Sequence, residues 1–335
     1  MPKDLDHYRA NARHVELAQP FDEDLGPLAL LPGTWKNTGA FEGRGWNSIA
    51  LPFAQPGSRL NYRLLVNQFN EELKFTLVDK GVPNRGIDEL GAGANTDQLV
   101  VTLDYEQMIK QIAAADSPDS GLAGDPDLAI HHEPGLWLNM TNFTTNDFDV
   151  ARLATIPHGN AALALGRSFV SDGAFVADDI SGLPIGGPST DLTHPYLAPY
   201  RTFDDAPFKG NVTADDFPGF NPVRPNALLA ALPEDVLRTT TLHVDTTVEM
   251  AGIHNIPFIE RQADAAEMQA TFWIMEVGGL GPDAKLVMAY TQTVLLDFFP
   301  RADGEEGLIR WPHVSINVME KAAEPDTEKA AMPAV

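Results

Sequence analysis

Short segments rich in β-branched and aromatic residues recur from Thr34 onward, and clusters of Gly, Pro, Asn and Asp separate them. This spacing is typical of an antiparallel barrel or sandwich, whereas the periodicity of amphipathic helices is scarce. Several segments alternate apolar and polar residues, as with Leu60, Tyr62, Leu64 and Val66, which indicates strands with one buried and one wet face. The sequence therefore predicts an all-β fold.

The C-terminal part of the chain predicts how the strands connect. Candidate strands at 268–277, 285–298 and 308–320 follow one another directly, with turn residues such as Gly278 and Gly281 between the first two. A meander of hairpins can close on itself, which removes exposed sheet edges and encloses a ligand cavity. We predict a closed antiparallel up-and-down β-barrel of about ten strands.

This pattern breaks at 170–238, where the sequence is dense in Pro and Gly and has room only for a short helix around 226–232. A stretch of this kind is uncommon in a compact domain and is usually a lid or an insertion. We predict one barrel domain over 25–321, interrupted there by an insertion or cap that a short linker could replace. A separate small domain is the alternative. An N-terminal extension precedes the barrel at 1–24, and a disordered tail follows at 322–335.

Charge and cysteine content exclude several function classes. Twenty-three basic and forty-seven acidic side chains give a net charge of −24, which repels nucleic acid and anionic membranes. The chain has no cysteine, which excludes disulfides, thiolate metal sites, iron–sulfur clusters and a Cys nucleophile. It also has no apolar run of signal-peptide or membrane-spanning length. We expect a cytoplasmic protein that binds neither nucleic acid nor membranes, and its oligomeric state stays open, a homodimer being one alternative.

The two ends of the predicted barrel carry motifs. Gly33-Thr34-Trp35 heads the first strand, where a Trp can close the bottom of a barrel while the Gly lets the incoming chain approach closely. The sequence GRGWNSI follows shortly afterwards. At the other end of the chain, Pro312-His313 opens the last strand within WPHVSINVME.

Together these ends resemble the nitrobindin family, heme-binding barrels related in shape to fatty-acid-binding proteins and lipocalins. The family's first-strand motif, Gly-x-Trp-x-Gly-x-Gly, is matched at Gly33, Trp35 and Gly39 but not at Asn37. The stretch HHEPGLWLN is similar to a Glu-x-Gly-x-Trp strand of the family. The insertion has no counterpart in this resemblance.

The resemblance implies a site for heme b. The family's iron ligand is a His in the Pro-His opening of the last strand, which His313 matches, and a neutral imidazole held by a strand suits heme iron. A family hydroxyl residue beside the heme has Ser48 as its nearest counterpart. Trp35 either contacts the cofactor or plugs the barrel bottom. His158, in the turn at 156–160, would reach the opposite face of the heme as a catalytic distal residue, the alternative being a solvated turn histidine.

Strand alternation weighs against an inward-facing His313. It places this side chain on the same face as two polar residues and opposite three apolar ones, namely Ser315 and Asn317 against Val314, Ile316 and Val318. A polar cavity wall, or a bulge at Pro312, would reconcile the pattern with a role for His313 inside the barrel.

A non-heme metal site is the alternative suggested by His131, His132 and Glu133. Adjacent side chains of a strand point to opposite faces, and the sequence has no HExxH helix. We therefore do not predict a zinc site there.

The resemblance implies a heme protein that binds NO, or acts on peroxynitrite or peroxide, including isomerisation of peroxynitrite to nitrate. The longer chain leaves room for a different, peroxidase-like heme reaction. Heme and a small diatomic or oxidant ligand are then the expected partners. The contrasting hypothesis is a non-catalytic carrier of fatty acid or another apolar molecule, since a fold does not decide a function.

Overall fold

The computed structural model describes residues 16–19, 22–54, 60–87, 95–140, 147–230 and 233–322. The strands are β1 (Glu16–Leu17), β2 (Gly33–Lys36), β3 (Gly45–Pro52), β4 (Tyr62–Ile87), β5 (Asn95–Ser117), β6 (Ala129–Met140), β7 (Val150–Ile156), β8 (Asn160–Asp172), β9 (Val236–Asp245), β10 (Gly252–Asn255), β11 (Asp264–Val277), β12 (Lys285–Pro300) and β13 (Leu308–Lys321). Two short α-helices are α1 (Ala198–Asp205) and α2 (Pro257–Gln262), and the 3₁₀ helices are Glu23–Leu28, Gly39–Phe41, Pro195–Leu197, Pro225–Ala230 and Gly281–Asp283.

Within these residues, no helix has the length and apolar character needed to cross a bilayer. The predicted tail lies outside the described residues apart from Ala322, and of the predicted N-terminal extension only 16–19 and 22–24 are described.

The strands form a closed ten-stranded antiparallel barrel with two outer strands, which confirms the predicted fold class. Most neighbours in the sheet are consecutive in sequence, as expected for a meander. The barrel closes where β3 pairs with both β4 and β13, with Ser48 opposite Val66 on one side and Val314 on the other. The alternating residues Tyr62, Leu64 and Val66 belong to the long strand β4, which continues to Ile87.

Apolar side chains form two separate clusters. One lies in the barrel interior and includes Trp35, Phe75, Trp137, Phe272 and Met319. The other covers the outer wall of β3, β4, β11, β12 and β13, where the segment between β8 and β9 packs on the barrel. Its strand residues include Trp46, Leu64, Trp273, Val314 and Ile316, and its covering residues include Phe175, Leu197, Tyr200, Phe220 and Leu229.

The segment between β8 and β9 therefore lies against the outside of the barrel. Its Phe175 ring stacks on Trp273, with 4.0 Å between ring centroids, and Phe217 stacks on Trp46 at 5.5 Å. Removing this segment would expose large aromatic side chains of the outer wall. A large exposed apolar patch promotes aggregation. The packing therefore does not fit the expectation that a short linker could replace this segment.

This cover explains the alternation in β13. Val314, Ile316 and Val318 belong to the outer cluster, whereas His313 and Ser315 line a cavity inside the barrel. The pairing of β12 with β13 runs through Pro312 without a register shift, so no bulge is involved. A polar inner wall, combined with an apolar outer wall that the insertion covers, reconciles the sequence pattern with an inward-facing His313.

We predict that Phe175→Ala lowers the free energy of unfolding by about 3 kcal/mol, because a buried ring that packs on Trp273 is lost and a cavity remains. The neighbouring Val176 is 90% exposed, so Val176→Ala should change stability by less than about 0.5 kcal/mol. Denaturant unfolding followed by far-ultraviolet circular dichroism measures both. Equal effects of the two substitutions would show that the insertion is not packed on the barrel.

Candidate functional site

A cavity of about 350 Å³ lies inside the barrel, between β3, β4, β5, β6, β12 and β13 and next to the turn that joins β7 to β8. This volume is within the range of small-molecule sites, roughly 300–1,000 Å³. One part of its lining is apolar, from Ile49, Leu51, Leu65, Ile109 and Leu128. The other part carries histidines, amides and hydroxyls, which belong to His131, His158, His313, Asn47, Asn67, Gln107, Gln111, Gln292, Ser315 and Tyr290.

His313 is held in a defined orientation on the cavity wall. Its Nδ1 lies 2.9 Å from the backbone carbonyl oxygen of Ser48 in the paired strand β3. Because a carbonyl oxygen only accepts hydrogen bonds, Nδ1 carries the proton of the neutral ring and Nε2 keeps its lone pair. Nε2 makes no hydrogen bond to any described residue. This is the arrangement found in metal-ligating histidines, whose second nitrogen is oriented by a carbonyl or a carboxylate.

The His313 ring is also neutral at physiological pH. Burial lowers its pKa to about 4, because the charged ring loses its hydration; the hydrogen bond to Ser48 offsets part of this effect, and the nearby His131 and His158 lower the pKa further. A histidine that stays unprotonated can donate its Nε2 lone pair at neutral pH. His313 therefore has the fixed orientation and the free Nε2 lone pair that a metal ligand needs.

Ser48 takes part in the site through its backbone and not through its hydroxyl. Strand alternation places Asn47 and Ile49 on the cavity and Ser48 on the outer face of β3, opposite Val314. The expected hydroxyl contact with a cofactor is therefore absent from this geometry. Asn47 takes the inward position instead, and its buried Oδ1 has no hydrogen-bond partner among the described residues.

Trp35 lies away from the cavity, in the interior cluster near the other end of β13. It packs there with Leu73 and Phe75, and its indole N–H donates to the carbonyl of Leu31 over 2.9 Å. Trp35 pairs with Lys321 at the end of β13 and does not line the cavity. This position fits a Trp that plugs the bottom of the barrel, and it does not fit a Trp that contacts the cofactor.

His158 lines the cavity together with His313. Desolvation at the cavity rim and the nearby His131 lower the pKa of His158. The ring of His131 is its neighbour, with 6.0 Å between ring centroids. The cavity thus carries three histidines, of which sequence reasoning had assigned two.

His131 is held by a buried ion pair that sequence reasoning missed. Its Nε2 lies 3.1 Å from Oε2 of Glu133, two residues further along the same face of β6. The other oxygen, Oε1, accepts from Arg152 Nη2 over 2.6 Å and from the Tyr105 hydroxyl. Burial alone would raise the pKa of Glu133, but Arg152, His131 and Tyr105 outweigh burial and lower it to about 2.

Two features of the sequence could have revealed this group. His131 and Glu133 are two residues apart, so a strand points both side chains to one face. Gly135 follows on that face, where a Cβ would lie 2.5 Å from the Tyr105 ring and 2.1 Å from the carbonyl oxygen of Leu153. The Glu-x-Gly spacing therefore lets Tyr105 approach β6 and reach Glu133.

A second buried carboxyl group lies beside the cavity. Glu71 accepts hydrogen bonds from the Tyr290 hydroxyl, from Gln107 and from Asn317, over 2.7, 2.7 and 2.8 Å. Burial raises the pKa of Glu71, and the three donors offset part of that shift. Tyr290 and Gln107 also line the cavity, so their orientation towards a ligand is fixed by Glu71.

The described residues contain no group of three or more His, Asp or Glu side chains placed to hold a metal ion. The residues that line the cavity include no Lys or Arg among those the structure describes, and the buried Arg152 is engaged by Glu133, Tyr105 and Gln292.

No protein-family model matches the chain, and no curated protein matches it. Among solved structures, the chain is similar to the crystal structure of Rv2717c from M. tuberculosis, with 12% sequence identity and a TM-score of 0.38 over 90% of this chain and 99% of the other. A likeness this distant carries no argument about the site. The resemblance to the nitrobindin family stays a prediction.

The neutral state of His313 predicts a pH dependence of stability in protein without heme. The folded state holds this pKa at about 4 against an ordinary 6.5, so between these values the unfolded chain binds a proton that the folded protein does not. Stability therefore falls as pH is lowered from 6.5 to 4, by on the order of 3 kcal/mol from this group. Denaturant unfolding at pH 7 and pH 4 measures this decrease in the free energy of unfolding. The decrease should be correspondingly smaller in His313→Gln than in the wild type, whereas His132→Gln should show the same decrease as the wild type. An unchanged loss in His313→Gln would contradict the assignment.

Proposed function

We propose that the barrel binds heme b in its cavity, with Nε2 of His313 as the iron ligand. The observation that carries this proposal is the hydrogen bond from Nδ1 of His313 to the Ser48 carbonyl, which leaves Nε2 unprotonated and facing the cavity. Many heme proteins hold the iron through a single side-chain ligand of this kind, because the porphyrin itself supplies the remaining nitrogen ligands. A site with one oriented histidine and, among the described residues, no cluster of metal ligands suits heme better than a free metal ion.

The lining supports the same proposal. Ile49, Leu51, Leu65 and Leu128 offer an apolar surface for the faces of a macrocycle. The partnerless Oδ1 of Asn47 is a buried polar atom that the described residues leave unsatisfied.

Bound heme b would supply a coordination position for NO, peroxynitrite or peroxide. On the chain's side, His158 reaches the cavity as a largely neutral ring and can accept a hydrogen bond from a protic ligand. We therefore propose that the protein senses or converts such small oxidants, either by isomerising peroxynitrite or in a peroxidase-like reaction.

A carrier of apolar molecules is the second candidate, favoured by the apolar part of the lining. The described lining offers no Lys or Arg to pair with a carboxylate, so a fatty-acid anion would have to leave its head group in water, as would the two propionates of heme b. An uncharged apolar molecule fits the carrier hypothesis better than a fatty acid does.

Absorption spectroscopy tests the heme proposal. Protein purified from heme-supplemented cells, or titrated with hemin, should show an intense Soret band at one heme per chain. His313→Ala should shift that band or lose the heme, and added imidazole should restore the wild-type spectrum, because it replaces the missing nitrogen ligand. His132→Ala is the matched control, since this exposed side chain on the outer face should leave the spectrum unchanged. Weak, non-saturating hemin absorbance in the wild type would favour the carrier hypothesis.

The role of His158 is tested by His158→Ala. This variant should retain heme with an unaltered Soret band, because its ring does not hold the iron, and it should change only the affinity for NO or the rate with peroxide or peroxynitrite. Stopped-flow absorption at the Soret band measures both quantities. If His158→Ala loses heme while His313→Ala keeps the wild-type spectrum, the assignment of the iron ligand is reversed.

A further inference from the structure

We infer that His131 is the residue that exchanges a proton with a protic ligand in the cavity, and that the buried pair of Glu133 and Arg152 positions it for this task. The identity of the ligand, a hydroperoxide or peroxynitrous acid, rests on the proposed function. The geometry of His131 is independent of the proposed function.

Glu133 divides its two oxygens between different partners. Oε1 accepts from Arg152 over 2.6 Å and from the Tyr105 hydroxyl, while Oε2 is left for Nε2 of His131 at 3.1 Å. Arg152 is itself held in place by Tyr105 over 3.1 Å and by Gln292 over 2.6 Å. The carboxylate therefore cannot turn away from His131 without breaking the hydrogen bonds of a buried arginine.

This arrangement decides which nitrogen of His131 is available. An ionised carboxylate only accepts hydrogen bonds, so Nε2 of His131 carries a proton and the neutral ring keeps its lone pair on Nδ1. When Nδ1 takes up a proton, Glu133 stabilises the resulting positive charge, as a carboxylate does for a catalytic imidazole. Arg152 keeps Glu133 ionised throughout, so the carboxylate orients the ring and does not itself take the proton.

His158 lacks this support. It lies on the turn between β7 and β8, it is exposed, and no described carboxylate is within hydrogen-bonding distance of its ring. His131 lies within β6, on the rigid wall of the barrel. Proton transfer needs a group held in one orientation, and of these two neighbouring rings only that of His131 is oriented by a buried charge.

The proposed step moves one proton to His131 and back again. Nδ1 of His131 accepts the proton of the O–H bond of the incoming ligand and becomes an imidazolium, and the same proton is later returned to an oxygen of the product or to water. The electron pair of the O–H bond stays on the ligand oxygen. His131 and Glu133 undergo no net change.

The chain offers a matched control at the next residue. His132 lies 3.0 Å from Glu106 and so forms a similar pair, but its side chain is 57% exposed and points away from the cavity. The side chain of His131 is 19% exposed and that of Glu133 only 1%. The two histidines differ in burial and in access to the cavity, which are the features the inference depends on.

A test without heme uses ¹⁵N-labelled histidine and nuclear magnetic resonance of the full chain. His131 should be fixed in the tautomer with the proton on Nε2, with that proton slow to exchange, while His132 should exchange rapidly. Glu133→Gln combined with Arg152→Met removes both charges, so that neither is buried alone. The double variant should lose the tautomer preference of His131. A fast-exchanging His131, or a proton on Nδ1 in the wild type, overturns the inference.

A test with heme uses the rate of reaction with hydrogen peroxide as a function of pH. His131→Gln should lower the rate by about 100-fold, the usual contribution of a positioned acid–base group, and remove one limb of the pH profile. His132→Gln should stay within about threefold of the wild type. The charged and titratable groups that face His131, and so shape this profile, are Glu133, Arg152, His158, Glu71 and His313.

Comparison with His158→Gln decides the assignment. A larger loss of rate in His158→Gln than in His131→Gln overturns the inference, whereas a smaller loss supports it. The Soret band of each variant shows that heme is still bound. If the wild type binds no heme, the proposed function fails, and the heme-free resonance measurement still decides whether Glu133 positions His131.

Discussion

The packing of the segment between β8 and β9 on the outer wall is the constraint on which the site depends. In an ordinary small barrel the apolar faces of the strands point inward and form the core. Here β3 and β13 turn Trp46, Val314 and Ile316 outward, where the segment buries them. The opposite faces of these strands are thereby free to carry polar side chains towards the inside, which is how Asn47 and His313 come to line a cavity.

A polar barrel interior is stable only if its buried groups are satisfied. Glu133 is paired with Arg152, and Glu71 accepts from Tyr290 and two amides. Two polar atoms of the cavity lining have no hydrogen-bond partner in the part of the chain that the structure describes. Nε2 of His313 has no protein partner among the described residues, and neither has Oδ1 of Asn47. Asn47 and His313 both line the cavity, so a ligand bound there can contact these atoms.

The sequence predicted the strand-rich meander and its closure, because turn residues and alternation are local signals. The motif resemblance placed His313 and His158 in one site. Alternation in β13 argued against an inward-facing His313, because the sequence did not predict that the insertion covers the apolar outer face of this strand. The group of His131, Glu133, Arg152 and Tyr105 was missed. Its members lie on three strands, and no local pattern shows that β5, β6 and β7 bring them into contact.

The central claim is that the imidazole of His313, oriented by Ser48, ligates heme iron inside the barrel. A crystal structure of protein purified from heme-supplemented cells tests it most directly. We expect one heme per chain, with iron bonded to Nε2 of His313 and with Nδ1 still donating to the carbonyl of Ser48. Iron bonded to His131 or His158, or a cavity filled by an apolar molecule instead of a porphyrin, would contradict it.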